Sequence, residues 1–238
     1  MEPHSAPASD AATEAPAIPR QRWRLVLARD ARAPGLAGRE LIDAWEAALE
    51  SSGLPGYHPV GRTRARVAFG APLPVGIALE HELADIVLTE SLPRWQVREA
   101  LGYRLPEGWR LLDIHDVWLG APALAGQVAA ADYRIDVGVA DARAVAAAAE
   151  ALLAAGRLPR ERVKGDTVVR YDLRPLLVDV AVIDPGPPLV VRARTRFDPV
   201  LGTGRPEEVV AALGDLAGLP LTMGQVVRER LILAEELG

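Results

Sequence analysis

Along this chain the hydrophobic period switches repeatedly between two and 3.6 residues, which restricts the fold more than any other feature. From Arg22 to Arg29, Trp23, Leu25 and Leu27 fall on one face and Arg22, Arg24 and Val26 on the other, as in a half-buried strand. From Gly38 to Ser51 the stripe becomes Leu41, Ile42, Trp45, Ala48 and Leu49, the spacing of an amphipathic helix, which Gly53 and Pro55 end. Strands are predicted over Arg64–Gly70 and Leu83–Thr89, a helix over Pro93–Leu101 and a strand over Trp109–Leu119. That order is β-α-β-β-α-β.

The cycle then restarts. Strands are predicted over Tyr133–Val139, Asp166–Tyr171, Leu176–Ile183, Leu189–Phe197 and Gln225–Ala234, and helices over Ala142–Ala155 and Pro206–Leu213. One strand is surplus to the pattern; a short second strand or a hairpin extension accommodates it. The expected fold class is therefore α+β, with two tandem ferredoxin-like halves, each an antiparallel sheet with helices on one face. The expected boundaries are a disordered tail at residues 1–20, a first half at 21–119, a linker at 120–131 and a second half at 132–238. The tail is rich in Ala, Pro, Ser and acids, lacks the apolar content to fold and has no signal-peptide pattern. With no apolar run near the ~20 residues of a membrane helix, the expected location is the cytoplasm, without membrane association.

Composition removes several chemistries. The chain has no cysteine, which excludes disulfides, thiol catalysis and Cys-ligated zinc or iron–sulfur clusters. The histidines His4, His58, His81 and His115 show no metal-ligand spacing, so neither a metal nor another cofactor is expected. No Gly-x-Ser-x-Gly elbow surrounds any serine. Gly202-Thr203-Gly204-Arg205-Pro206 sits where a phosphate loop would, but it lacks the Gly-Lys-Ser/Thr ending. Glu207 and Glu208 in the following helical turn would also repel phosphate, so it reads as a plain turn.

Arginine placement is the positive signal. Lys164 is the only lysine. Arg22 and Arg24, then Arg62, Arg64 and Arg66, then Arg192, Arg194 and Arg196 alternate with apolar residues and would line open sheet faces. At roughly 7 Å between alternate residues, such a row matches the phosphates of an extended single strand. RNA-binding modules of this topology use that face, usually with aromatic rings; arginine in their place favours backbone contact over base reading. Charge on an exposed sheet face equally serves solubility, and the net charge of −5 argues against a protein that coats nucleic acid. Tyr57 and His58, beside Arg62, Arg64 and Arg66, are the catalytic candidates, because there a general base and anion-binding groups coincide.

Several segments, in order, resemble a bacterial domain of unknown function called the radical-SAM-linked or radical-SAM-associated family. They are Ala44-Trp45-Glu46-Ala47-Ala48-Leu49-Glu50-Ser51-Ser52-Gly53-Leu54-Pro55, Arg66-Val67-Ala68-Phe69-Gly70-Ala71-Pro72-Leu73-Pro74-Val75-Gly76, Glu82-Leu83-Ala84-Asp85, Leu105-Pro106-Glu107-Gly108 and Tyr171-Asp172-Leu173-Arg174-Pro175. The resemblance covers most of Arg22–Glu235. It implies an accessory role in RNA metabolism, since members occur fused to or encoded beside radical-SAM proteins, often near a ribonuclease of the E/G type and ribosomal protein genes. This chain departs from the family twice. Leu36-Ala37-Gly38-Arg39-Glu40-Leu41 stands where a Ser-His-Leu-Asp element is usual, and Tyr57-His58-Pro59-Val60-Gly61-Arg62 replaces a Tyr-Ser-x-Gly-Phe-x-Pro loop. The expected function is an adaptor that binds RNA (tRNA or rRNA) and partners a separate radical-SAM enzyme. The alternatives are a metal-free RNA-processing enzyme and a protein-interaction scaffold without nucleic acid.

Overall fold

The computed structural model describes residues 18–36, 38–165 and 167–237. The expectation for the tail falls on residues 1–17, outside the described residues, and for residues 18–20 inside them. The first half contains β1 (Gln21–Arg29), α1 (Gly38–Ser51), β2 (Val67–Phe69), β3 (Ala78–Leu88), α2 (Arg94–Gly102) and β4 (Trp109–Val117). The second contains β5 (Val128–Asp136), α3 (Ala142–Ala154), β6 (Pro159–Lys164), β7 (Thr167–Asp172), β8 (Leu177–Asp184), β9 (Val190–Asp198), β10 (Gly202–Thr203), α4 (Pro206–Ala217) and β11 (Val226–Leu233). No described helix is long and apolar enough to cross a membrane.

The fold is mixed α/β, with four helices on a large, mainly antiparallel sheet. In the first half β1 lies between β4 and β3, and β3 pairs with β2 on its other side, all antiparallel. In the second half β5 lies between β11 and β9, and β9 pairs with β8, again antiparallel. Two separate sheets were expected. Instead the halves share one nine-stranded sheet, because β11 runs parallel to β3 at Val227–Ala78 and Arg228–Leu79. Period-two patterning identifies strands and their faces but carries no information about which edge meets which, so this join was invisible in the sequence. The segment expected to link the halves, 120–131, already contains the start of β5.

The surplus strand resolves as a hairpin. β6 and β7 pair only with each other and stand apart from the large sheet.

Each half has its own apolar core on one side of its strands. In the first, Trp23, Leu25 and Leu27 meet Leu41, Trp45 and Leu49 of α1 and Val97 and Leu101 of α2. Trp45 packs edge-on against Trp109 with ring centroids 5.0 Å apart. In the second, Tyr133, Ile135, Val191 and Ala193 meet Val145 and Leu152 of α3 and Val209 and Leu213 of α4. Where β3 and β11 join, the buried Arg228 and Glu82 form an ion pair. Arg228 also donates to the Pro72 carbonyl at 3.1 Å, and the buried Arg29 donates to the carbonyls of Pro74 and, at 2.8 Å, Ile77. The proline-rich connector between β2 and β3 is thus pinned over the join. Burial drives the Glu82 carboxyl up, with Arg228 opposing it.

Candidate nucleic-acid interface

β2 is shorter than expected. The predicted strand Arg64–Gly70 is reduced to Val67–Phe69, so Arg62, Arg64 and Arg66 lie in the loop before it. The period-two pattern survives without the ladder: Ala65 and Val67 are buried, and Arg64 and Arg66 are exposed. The ladder fails because another segment occupies the edge of β3. Gly56 bridges Leu88, and the Tyr57 N–H donates to the Val87 carbonyl at 2.8 Å, which leaves Arg66 without a strand partner.

Arg22 and Arg24 are on the face opposite the core, as the alternation required, but they are not exposed. Both are buried around Asp85. Arg22 donates to Asp85 Oδ2 through Nε at 2.9 Å and Nη2 at 2.5 Å, and Arg24 donates to Oδ1 through Nε at 2.9 Å and to Oδ2 through Nη2 at 3.2 Å. Arg22 also donates to the carbonyls of Ala121 at 2.7 Å and Pro122 at 2.9 Å. Arg22 thereby fastens the connector after β4 across the sheet, while Arg24 is committed to Asp85. A buried carboxylate demands such partners, and Asp85 stands alone in the apolar run Leu83-Ala84-Asp85-Ile86-Val87. That lone acid is the signal the sequence offered for this cluster.

Two of the three arginines of β9 face carboxylates. Arg194 makes a bidentate pair with Asp132 at 2.7 and 3.0 Å, and Arg230 joins the same carboxylate at 3.1 Å. Burial raises the Asp132 pKa, but hydrogen bonds from Arg194 and Arg230 outweigh it and hold the carboxyl below its usual range. Arg192 lies 3.9 Å from Asp179. Arg134, on the same face, binds Glu80 at 2.7 Å and Glu229 at 2.5 Å. Only Arg196 of the β9 set is exposed and has no carboxylate partner among the described residues.

In the loop before β2, Arg62 is tied to the buried Glu46 at 2.8 Å. Arg64 and Arg66 are exposed and have no carboxylate partner among the described residues. On one side of this loop lies a groove of about 670 Å³, lined by Gly38, Arg39, Asp43, Glu46, Arg62 and Arg64. On the other is a cleft of about 410 Å³ over the first half's sheet, lined by Arg22, Tyr57, Arg66, Asp85, Ala121 and Leu124 among others. Of the residues singled out from sequence, the cleft gathers Arg22, Tyr57 and Arg66. His58 is turned to Glu50, with Nε2 3.2 Å from Oε1, and does not line the cleft with Tyr57. Asp85 and the 119–124 connector belong to the site and were missed. No group of three or more His, Asp or Glu side chains among the described residues is placed to hold a metal ion.

Among solved structures, the chain is similar to one titled "Crystal Structure of a Cbf5-Nop10-Gar1 Complex", at 9% identity and a TM-score of 0.50. The match covers 88% of this chain and 48% of that one, so this chain spans about half its length. At that identity the likeness is one of fold. No curated protein matches the chain. Residues 22–207 match the family described as an uncharacterized protein conserved in bacteria (DUF2344), and over that stretch, most of its length, the chain belongs to this family.

Proposed function

We propose that this protein is an accessory factor that binds RNA through the loop before β2 and serves a separate radical-SAM enzyme. In this reading each half is a ferredoxin-like unit, which the equivalent strand orders β4-β1-β3-β2 and β11-β5-β9-β8 support. One observation carries the RNA reading. Arg64 and Arg66 stand together, exposed and with no carboxylate partner among the described residues, while on the second half's sheet face Arg134 and Arg194 are compensated and Arg196 is left alone. An uncompensated pair of guanidiniums on one loop attracts phosphate; a neutral lattice of ion pairs does not. The enzyme partner rests on the family resemblance alone, and a sequence without cysteine fits a division of labour in which the partner holds the cluster.

The test is a titration of labelled single-stranded RNA with wild type, Arg64→Gln/Arg66→Gln and Arg192→Gln/Arg194→Gln. Arg62 is kept, because removing it would strand the buried Glu46. Binding that weakens only in the loop variant supports the reading; absence of binding by wild type at low salt contradicts it. Co-purification of a radical-SAM protein with the tagged chain tests the partner separately.

A further inference from the structure

The cleft beside the loop brings an aromatic ring, an apolar floor and an uncompensated cation together on the open face of the sheet. Its floor is the open face of the first half's sheet, where Ala68 and Val87 present small or aliphatic side chains. Its two walls are held by different means. On one side, Gly56 and Tyr57 are stitched to the edge of β3 by backbone bonds. On the other, the Ala121 and Pro122 carbonyls are clamped by Arg22, and Leu124 is anchored in the core. The alanines Ala68, Ala121 and Ala123 leave the space between them free. The single carboxylate of the lining, Asp85, is consumed by Arg22 and Arg24, so the cleft carries a net positive charge with Arg66 exposed at its rim.

We infer that this cleft seats one unstacked nucleotide, with its base lying against Tyr57 and the Ala68–Val87 floor and its phosphate on Arg66. This rests on the RNA reading above and names what that loop delivers. The volume of about 410 Å³ falls within the range of about 300–1,000 Å³ for small-molecule sites. It is large enough for one nucleotide. A flat π-face with a flanking anion is the ligand chemistry that an aromatic wall, an apolar floor and one guanidinium complement together. An acidic peptide would satisfy Arg66 but would leave the floor and Tyr57 without a planar group to cover them.

The experiment compares adenosine 5′-monophosphate with ribose 5-phosphate, which keeps the anion and lacks the base, as ligands of the full chain by NMR titration. The proteins are wild type, Tyr57→Phe, Tyr57→Ala and Ala68→Leu, the last of which fills the floor. The expected result is on the order of tenfold tighter binding of the nucleotide by wild type and Tyr57→Phe, the contribution of one stacked base. Tyr57→Ala and Ala68→Leu should lose that preference and bind single-stranded RNA more weakly, with the residual binding abolished only when Arg64 and Arg66 are also replaced. Equal binding of the two ligands by wild type, or binding of neither, overturns the inference. So does displacement of bound nucleotide by an acidic peptide with no preference for the base. If RNA binding depends on Arg64 and Arg66 yet the base makes no difference, the pocket is wrong and the RNA reading stands. If the nucleotide is preferred but RNA does not bind, the pocket stands as a free-nucleotide site and the RNA reading falls.

Discussion

At the scale of single residues, the same arginine spacing hides three different fates. Arg22 and Arg24 are sunk against Asp85, Arg194 is paired to Asp132, and Arg64 and Arg66 have no carboxylate partner among the described residues. Alternation gave the correct face in each case. It did not give the neutralising carboxylate, because Asp85 and Asp132 lie more than sixty residues away in sequence from their partners. Removing Asp85 leaves two buried guanidiniums unpaired, so Asp85→Ala should lose about 3–5 kcal/mol of stability in urea denaturation, as expected for breaking a buried charge pair. Asp132 makes a prediction about pH. Its carboxyl is held below the ordinary value, so the folded state binds its proton less readily than the unfolded chain. The stability this contributes is present above the unfolded pKa of about 3.9 and is lost as pH falls through the folded value. Unfolding measured across pH should therefore show wild type and Asp132→Asn furthest apart near neutrality and converging in acid.

At the scale of elements, the long apolar-periodic segments were legible and the polar ones were not. α1 and α3 and the inner strands β1 and β9 appear close to where the pattern placed them, whereas β5 starts at Val128, five residues before the expected Tyr133. β6 escaped notice because Pro159-Arg160-Glu161-Arg162 has no apolar face, as befits a hairpin outside the large sheet. β2 was overextended because burial alternates through Ala65 and Val67 even where no neighbouring strand is available. The hairpin lies apart from both the sheet and the candidate interface. Joining Pro159 to Asp172 through Asn-Gly, a pair suited to a tight hairpin turn, keeps the buried Leu158 and Leu173 in place. That shortened protein should keep its circular-dichroism spectrum and its RNA affinity; a loss of affinity would move the interface to the arm.

At the scale of the whole molecule, the repeated strand order was legible and the join was not. Two short register pairs and a buried Arg228–Glu82 contact turn two patterned halves into one sheet, and neither leaves a periodic trace in the sequence. A common sheet and a buried ion pair couple the halves energetically, so urea unfolding followed by fluorescence and by circular dichroism should give one coincident transition. The site was partly legible: Tyr57, Arg64 and Arg66 were named from sequence, but as members of a larger set that the fold divides. The salt dependence of single-stranded RNA binding tests that division most directly. If Arg64 and Arg66 each meet one phosphate, Arg64→Gln/Arg66→Gln should flatten the slope of log K against log salt by about 1.4, at ~0.7 per phosphate. Arg192→Gln/Arg194→Gln should leave the slope at the wild-type value. An unchanged slope in the loop variant together with a flattened one in the β9 variant would contradict the account.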